Sequence, residues 1–445
     1  MPAPDGRIPP LPRQPETAFE SAVVAKLTRR LIPFLFLLYI VAYIDRVNVG
    51  FAGLQMRQQL HFSYEVFGLG TGMFFAGYFF FQLPSNLVLE RFGARRWISL
   101  LMIVWGTVSA CMALVRTTNE FYFVRFLLGV AEAGFFPGVI LFIKNWFPAR
   151  ARARTVASFV TASALSGVVG GPVSGALLNL QNVGGLAGWQ WLFLLEALPA
   201  VVLGMVVLFY LTNRPEEAHW LSDEQRNWLI ANLLEEKRAH PDEGRSTKFS
   251  AFGNVNVWLL TFVYFGLNTV SYGLSLWLPD VVRSLSKQSN FKTGLMVAIP
   301  YVIAAISMVL VGRNSDRTGA HRWHVAISAF AGGLALFFAA YSSSIILSLV
   351  TLSVAVAAVN CMIGPLWAMP TTFLTTTAAA GGIALINSVA NLGGFFGTWI
   401  LGKLHDLTGN YTAGMLVVGG TLGLGGGVVL LVRSHRPVQS ESPTR

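Results

Sequence analysis

The chain has 445 residues, of which 54% are hydrophobic and 12% charged, with a formal net charge of +11. Soluble domains carry about 25% charged residues, so the composition excludes an ordinary soluble domain and places the chain in the membrane class. The basic excess does not point to nucleic acid, because Lys and Arg are scattered among short loops, as expected of cytoplasmic loops in membrane proteins. The two cysteines, Cys111 and Cys361, lie in apolar runs and read as small buried hydrophobes, not as a disulfide or metal site.

Residues 1–27 are polar and rich in proline, from Pro2 to Pro15, and predict a disordered cytoplasmic tail with no cleavable signal peptide. A spanning helix needs about 20 mostly apolar residues. Six such runs follow, at 30–52, 66–89, 97–115, 120–144, 155–178 and 190–212, forming a first unit over 28–213. The connection 214–250 contains "WLSDEQRNWLIANLLEEKRAHPDEGR". Its Ser222 and Gln225 are spaced as a capping box, which predicts an interfacial helix on a cytoplasmic linker. Six more runs, at 254–280, 294–312, 324–341, 345–369, 380–403 and 411–432, form a second unit over 251–433, followed by a tail at 434–445. The loops then predicted inside hold Arg91, Arg95, Arg96, Arg150, Arg152, Arg154, Arg313, Arg317 and Arg322, more than those predicted outside. This bias puts both termini in the cytoplasm. The short loops suit a bacterial inner membrane.

An internal repeat supports two related halves. Residues 90–97 read "ERFGARRW" and residues 316–323 read "DRTGAHRW", each between the second and third spans of its half. The pattern resembles the loop signature of the major facilitator superfamily, here Gly312, Asp316, Arg317, Gly319 and Arg322; Asn86 and Glu90 replace the leading Gly and the Asp in the first copy. The resemblance implies an all-α membrane protein of twelve transmembrane helices in two pseudo-symmetric six-helix bundles. It also implies a cytoplasmic gate drawn from Glu90, Arg91, Arg95, Asp316 and Arg317. The stretches "YIDRVNVGFA", "QLPSNLVLERFGARRW", "RFLLGVAEAGFFPGVI" and "GIALINSVANLGGFFG", with "GPLWAMP" and "LHDLTGNY", are similar to the anion:cation symporter family, in its branch of tartrate, phthalate, hydroxyphenylacetate and galactonate permeases. That similarity covers about residues 28–432 and implies uptake of organic carboxylates with protons.

The ionisable residues inside the spans lead to the same chemistry. A charged side chain at mid-membrane costs roughly 2.5–3.5 kcal/mol on insertion scales, yet the first span holds Asp45 and Arg46, the fourth Arg125 and Glu132, and the sixth Glu196. Arg125 and Glu132 share a helix face, two turns apart; Asp45 and Arg46 are adjacent and must point differently. A carboxylate substrate calls for a permanently charged fork, hence Arg46 and Arg125 as anion binders. Proton coupling calls for groups that titrate, hence Asp45 and Glu132. The alternative for each pair is a static ion pair between helices. Glu196 reads as a local partner near the outer interface or as a third proton site. The second half carries almost no buried charge, so Asn268, Tyr272, Trp367, Thr371, Asn387 and Asn391 are its candidate cavity residues, with Tyr43 and Tyr78 in the first half; interhelical hydrogen bonding is the competing role for each. The galactonate-permease pattern has a Gln in the fifth helix, where this chain has Ser163 and small neighbours, which argues against a sugar acid. Gly167, Gly171 and Gly175, and Gly393 with Gly397, predict close helix approach.

No HExxH, GxSxG or CxxC occurs, and the seven His are dispersed, so no metal or cofactor is expected. The expected partners are a small organic carboxylate, protons and the lipid bilayer, with the protein a monomer. Two modes remain open from the residues: proton-coupled symport, and exchange of organic anions without protons. An intramembrane enzyme lacks a catalytic constellation, and a sensor would need an appended domain.

Overall fold

The computed structural model describes residues 17–239, 253–370, 373 and 376–432. The first half comprises α1 (Ala18–Gln59), α2 (Tyr64–Phe92), α3 (Ala94–Cys111), α4 (Thr118–Glu132), α5 (Phe135–Trp146), α6 (Ala149–Val160), α7 (Ala162–Leu177) and α8 (Gly188–Tyr210). The helix α9 (Asp223–Ala239) links it to α10 (Val255–Ser286), α11 (Asn290–Thr318), α12 (His321–Tyr341), α13 (Ile345–Ala368), α14 (Thr376–Thr408) and α15 (Thr412–Leu430). Among the described residues, eleven helical segments are long and apolar enough to cross a membrane, and the 33-residue α14 packs among them against α2 and α10. The fourth and fifth spans are each two helices in line. Between α4 and α5, Pro137 has no N–H to give to the Ala133 carbonyl, so the helix breaks there.

The expected disorder of residues 1–27 is corrected at its inner end. Helix α1 starts at Ala18, twelve residues before the predicted apolar run, with Thr17 and Glu20 forming a reciprocal cap. Val23, Leu27, Leu31 and Leu35 are fully buried or nearly so. They recur every four residues, one continuous stripe on a helix, so the helix is held by packing before it reaches the membrane. Glu20 pairs with Arg150 at 2.9 Å, and Lys26 donates to Gln225 at 3.0 Å. The predicted capping box of α9 is formed: the Gln225 N–H donates to Ser222 Oγ at 3.3 Å, and the Ser222 N–H donates to the Gln225 side chain at 3.3 Å. Glu236 of α9 accepts from Arg152 at 2.7 Å and from the Ala149 N–H at 2.6 Å, which docks the linker helix on the first bundle.

The halves repeat closely. Helices α2 and α11 both have 29 residues, and both of their ends shift by 226 positions. Each is followed by a glycine in the left-handed region, Gly93 (φ 79°) and Gly319 (φ 65°), a conformation that L side chains adopt only under strain. Lipid does not drive apolar helices together, so bundle contacts depend on small residues and hydrogen bonds. The fifth span supplies this: Gly171 of α7 and Gly294 of α11 each lie against the other's carbonyl. Phe80, Leu83, Phe209 and Ile346 face outward over the bilayer zone.

At the outer ends the two bundles are latched. Arg57 of α1 pairs with Asp280 of α10 at 2.7 Å and lies 3.7 Å from the centroid of the Tyr64 ring. Asp406 of α14 accepts the Tyr64 and Glu65 N–H groups at 3.1 and 2.7 Å, capping α2 from the opposite bundle. Tyr64 stacks on His405 at 3.6 Å. Towards the cytoplasm, Gln82 accepts from Ser388 at 2.9 Å.

Candidate functional site

Helices α1, α2 and α4 bring the costly charges together at mid-membrane. Gly77 of α2 lies on the Phe126 carbonyl and Gly129 of α4 on the Phe74 carbonyl, where a Cβ would collide with backbone. This close crossing brings Arg125 and Arg46 to one aromatic cluster. Their guanidinium carbons are 5.3 and 5.2 Å from the Phe74 centroid, and Arg46 is 5.4 Å from that of Tyr78. A cation over an aromatic face is worth about 0.5–2 kcal/mol, which offsets part of the cost of burying two cations side by side.

The two arginines differ in their partners. Arg46 forms an ion pair with Glu132 and donates to Tyr272 Oη at 3.1 Å. Arg125 is 1% exposed; among the described residues its one hydrogen bond is to the Thr71 carbonyl at 3.5 Å, and its Nε and Nη1 have no partner. Leaving donors of a charged group unpaired in a buried place costs at least about 1–3 kcal/mol each. An anion able to fork across both nitrogens would remove that cost. Arg46, Arg125, Thr71, Phe75, Tyr272, Ser275 and Thr398 line a small cavity. A second small cavity adjoins it at Ser275 and is lined by Tyr43, Ser163, Ser271, Tyr301 and Asn360, with Val356 and Val359. Hydroxyls and an amide dominate its polar lining, and no charge enters it.

Asp45 and Arg46 point apart, as adjacent residues on a helix must. Asp45 is 1% exposed and turns into the first bundle, accepting from Ser109 and from Asn48 at 3.3 Å. Glu132 is equally buried, against Arg46. Glu196 sits well inside the bundle rather than at the outer interface and accepts from Ser174 at 2.7 Å.

In the second half, Tyr272 meets Arg46, but Asn268 donates to the Ala390 carbonyl at 3.0 Å and lines neither cavity. Trp367 packs edge-on against Tyr264 at 5.1 Å. Asn387 is half-buried and Asn391 buried, one turn apart on α14; Thr371 lies outside the described residues. Of the gate residues, Arg91, Asp316 and Arg317 are exposed and enter no ion pair among the described residues, while the Arg95 N–H donates to Asn213 at 3.3 Å. Glu90 is in helix α2, its side chain outside the described residues. Sequence reasoning did not single out Thr71, Ser271, Ser275, Tyr301, Asn360 or Thr398. Asn360 was findable as an isolated amide in an apolar run; the serines and threonines were not, since such residues are common in spans as internal hydrogen-bonders.

Residues 35–398 match the family model of the Major Facilitator Superfamily. The chain belongs to the major facilitator superfamily. Over 425 residues it is 46% identical to a protein of Agrobacterium vitis named "Putative tartrate transporter", covering 96% of this chain and 94% of that one. It is 36% identical over 423 residues to the inner membrane transport protein RhmT of Escherichia coli strain K12, covering 95% and 98%. Among solved structures, a bacterial homolog of the human lysosomal transporter Spinster in an inward-facing, unoccupied conformation superposes with a TM-score of 0.74 at 16% identity, covering 94% of this chain and 98% of that one. The inward-open xylose transporter XylE from E. coli does so with 0.70 at 17%, covering 94% and 98%. These share the major facilitator fold. The chain is thus a multi-pass membrane protein with the two-bundle architecture of superfamily transporters.

Proposed function

We propose that this chain is a secondary active transporter that takes up a small organic carboxylate together with protons by alternating access. The single observation that carries the anion is Arg125, a fully buried guanidinium with two unpartnered nitrogens on the wall of a central cavity. The names of the Agrobacterium relatives support tartrate or a related hydroxy acid, and the hydroxyl-lined second cavity suits a ligand with polar groups beyond its carboxylate.

Coupling follows from the partners. While Glu132 is ionised it occupies Arg46. A proton on Glu132 breaks that pair and frees Arg46 to join Arg125 on the substrate carboxylate. Loaded with anion and proton, the centre is close to neutral, so the bundles can rock without carrying a bare charge through the membrane interior. Asp45 provides a second titrating carboxyl behind the same helix. Gate pairs between the cytoplasmic loops would form once the inner ends close.

The test is uptake of radiolabelled L-tartrate into proteoliposomes under an inward proton gradient. Uptake that collapses with the gradient, and that is lost in Arg125→Ala, supports the reading; transport by Arg125→Ala at the wild-type rate overturns the site.

A further inference from the structure

Glu196 takes no part in the site described above, yet its surroundings are unusual for a buried carboxyl. It and Asp45 are both buried in the first bundle, on α8 and α1. Asn48, one turn from Asp45, meets both: its amide nitrogen donates to Asp45, and its side chain also meets the Glu196 carboxyl. Ser109 from α3 donates to Asp45 and Ser174 from α7 donates to Glu196. Among the described residues, three acceptor atoms in this cluster, Asp45 Oδ2, Asn48 Oδ1 and Glu196 Oε2, have no donor. Neither carboxyl enters an ion pair among the described residues. Among the described residues, the charged group facing Glu196 is Asp45, and those facing Asp45 from α4 are Arg125 and Glu132. A proton is the one addition that turns an orphaned acceptor here into a donor.

The cluster also has a direction. Asp45 lies 14 residues from the outer end of α1, about 21 Å at 1.5 Å per residue, whereas Glu196 lies eight residues from the outer end of α8, about 12 Å. Beyond Glu196 the outer end of the bundle is built from amides. Gln55 donates to the Leu178 carbonyl at 2.9 Å and accepts the Trp189 N–H at 3.1 Å, and Gln181 accepts the Gly188 N–H at 2.8 Å. The outer latch formed by Arg57 with Asp280 and by Asp406 with the start of α2 lies between the bundles, not across this path.

We propose that Glu196 is a proton-relay residue that passes protons between the outer face and Asp45 through the interior of the first bundle, apart from the route taken by the anion. In each transfer an O–H bond on Glu196 breaks as one forms on Asp45, with the Asn48 side chain beside both carboxyls, and Glu196 regains its proton from the outer water. The proposal rests on the proton-coupled reading above.

The experiment compares two rates in proteoliposomes of full-length protein: tartrate uptake driven by a pH gradient, and tartrate counterflow at equal pH, which needs no net proton movement. A positioned proton carrier is worth roughly 100-fold or more in transfer rate, so the ratio of driven uptake to counterflow should fall about tenfold or more in Glu196→Gln and recover in Glu196→Asp. Ser174→Ala, which keeps the carboxyl but removes its hydrogen bond, should shift the pH midpoint of driven uptake. An unchanged ratio in Glu196→Gln overturns the proposal. So does an equal loss of both rates in Glu196→Gln and Glu196→Asp, which marks a purely structural group, and so does an unmoved midpoint in Ser174→Ala. Wild-type uptake indifferent to the pH gradient would instead overturn the symport reading itself, before any variant is compared.

Discussion

Arg46 donates to the hydroxyl of Tyr272, a residue 226 positions further along the chain. That is also the offset between the two loop repeats and between the ends of α2 and α11. The two residues occupy equivalent places in their halves and meet at the centre of the molecule, charged on one side and neutral on the other.

Removing the cation from either side of the site should be severe but for different reasons. Arg125→Ala deletes the free fork and should abolish tartrate uptake and binding alike. Arg125→Lys keeps the charge but not the two-pronged geometry, so binding should weaken about tenfold or more. Isothermal titration of the purified protein would check both; equal affinity in Arg125→Lys would show that the fork is not used.

Arg46→Ala leaves Glu132 buried without its cation. Losing one member of a buried ion pair costs roughly 3–5 kcal/mol, so this variant should unfold at a clearly lower temperature as well as lose transport. The double variant Arg46→Ala with Glu132→Gln should recover most of the stability and none of the transport. A thermal melt in detergent separates the two effects.

Glu132→Gln stays in the state that frees Arg46. Counterflow should persist, and uptake should lose most of its response to pH: wild-type uptake rises as the outer pH falls, whereas the variant's profile should be much shallower, with Asp45 supplying the remaining slope. Parallel pH profiles in the two proteins would exclude Glu132 from coupling.

The outer latch predicts a population shift. Arg57→Ala removes the 2.7 Å pair between two half-buried side chains, Arg57 and Asp280, and the cation over Tyr64. Outer ends should then separate more often. A cysteine in place of Thr398, which is buried on the cavity wall inward of this latch, would report this through faster labelling by a membrane-impermeant maleimide from the outside.

The twelve spans were legible because bilayer thickness imposes a length and an apolarity that loops do not share. Their ends were less so: α10 continues to Ser286 and α1 begins at Ala18, beyond the apolar runs, because a helix persists into polar surroundings when capped and packed. Arg46, Arg125 and Glu132 stood out since charge in a membrane needs a reason. The neutral wall did not. Ser275 donates to the Ser271 carbonyl at 2.8 Å and stands 3.2 Å from the Tyr301 hydroxyl, and nothing in its sequence position separates it from serines that only satisfy their own helix. Asn268 is the converse case: a conspicuous amide that takes the competing role of joining two helices.

The meeting of residue 46 with residue 272 also bears on ancestry by duplication. Two identical copies of the first half, docked the same way, would set one guanidinium against another across the twofold axis, each already 5 to 6 Å from its own ring system. Such a homodimer would repel at its centre. A second copy with an arginine at the place of Tyr272 would set two cations against each other there, so a separately expressed first half should fail to substitute for the second.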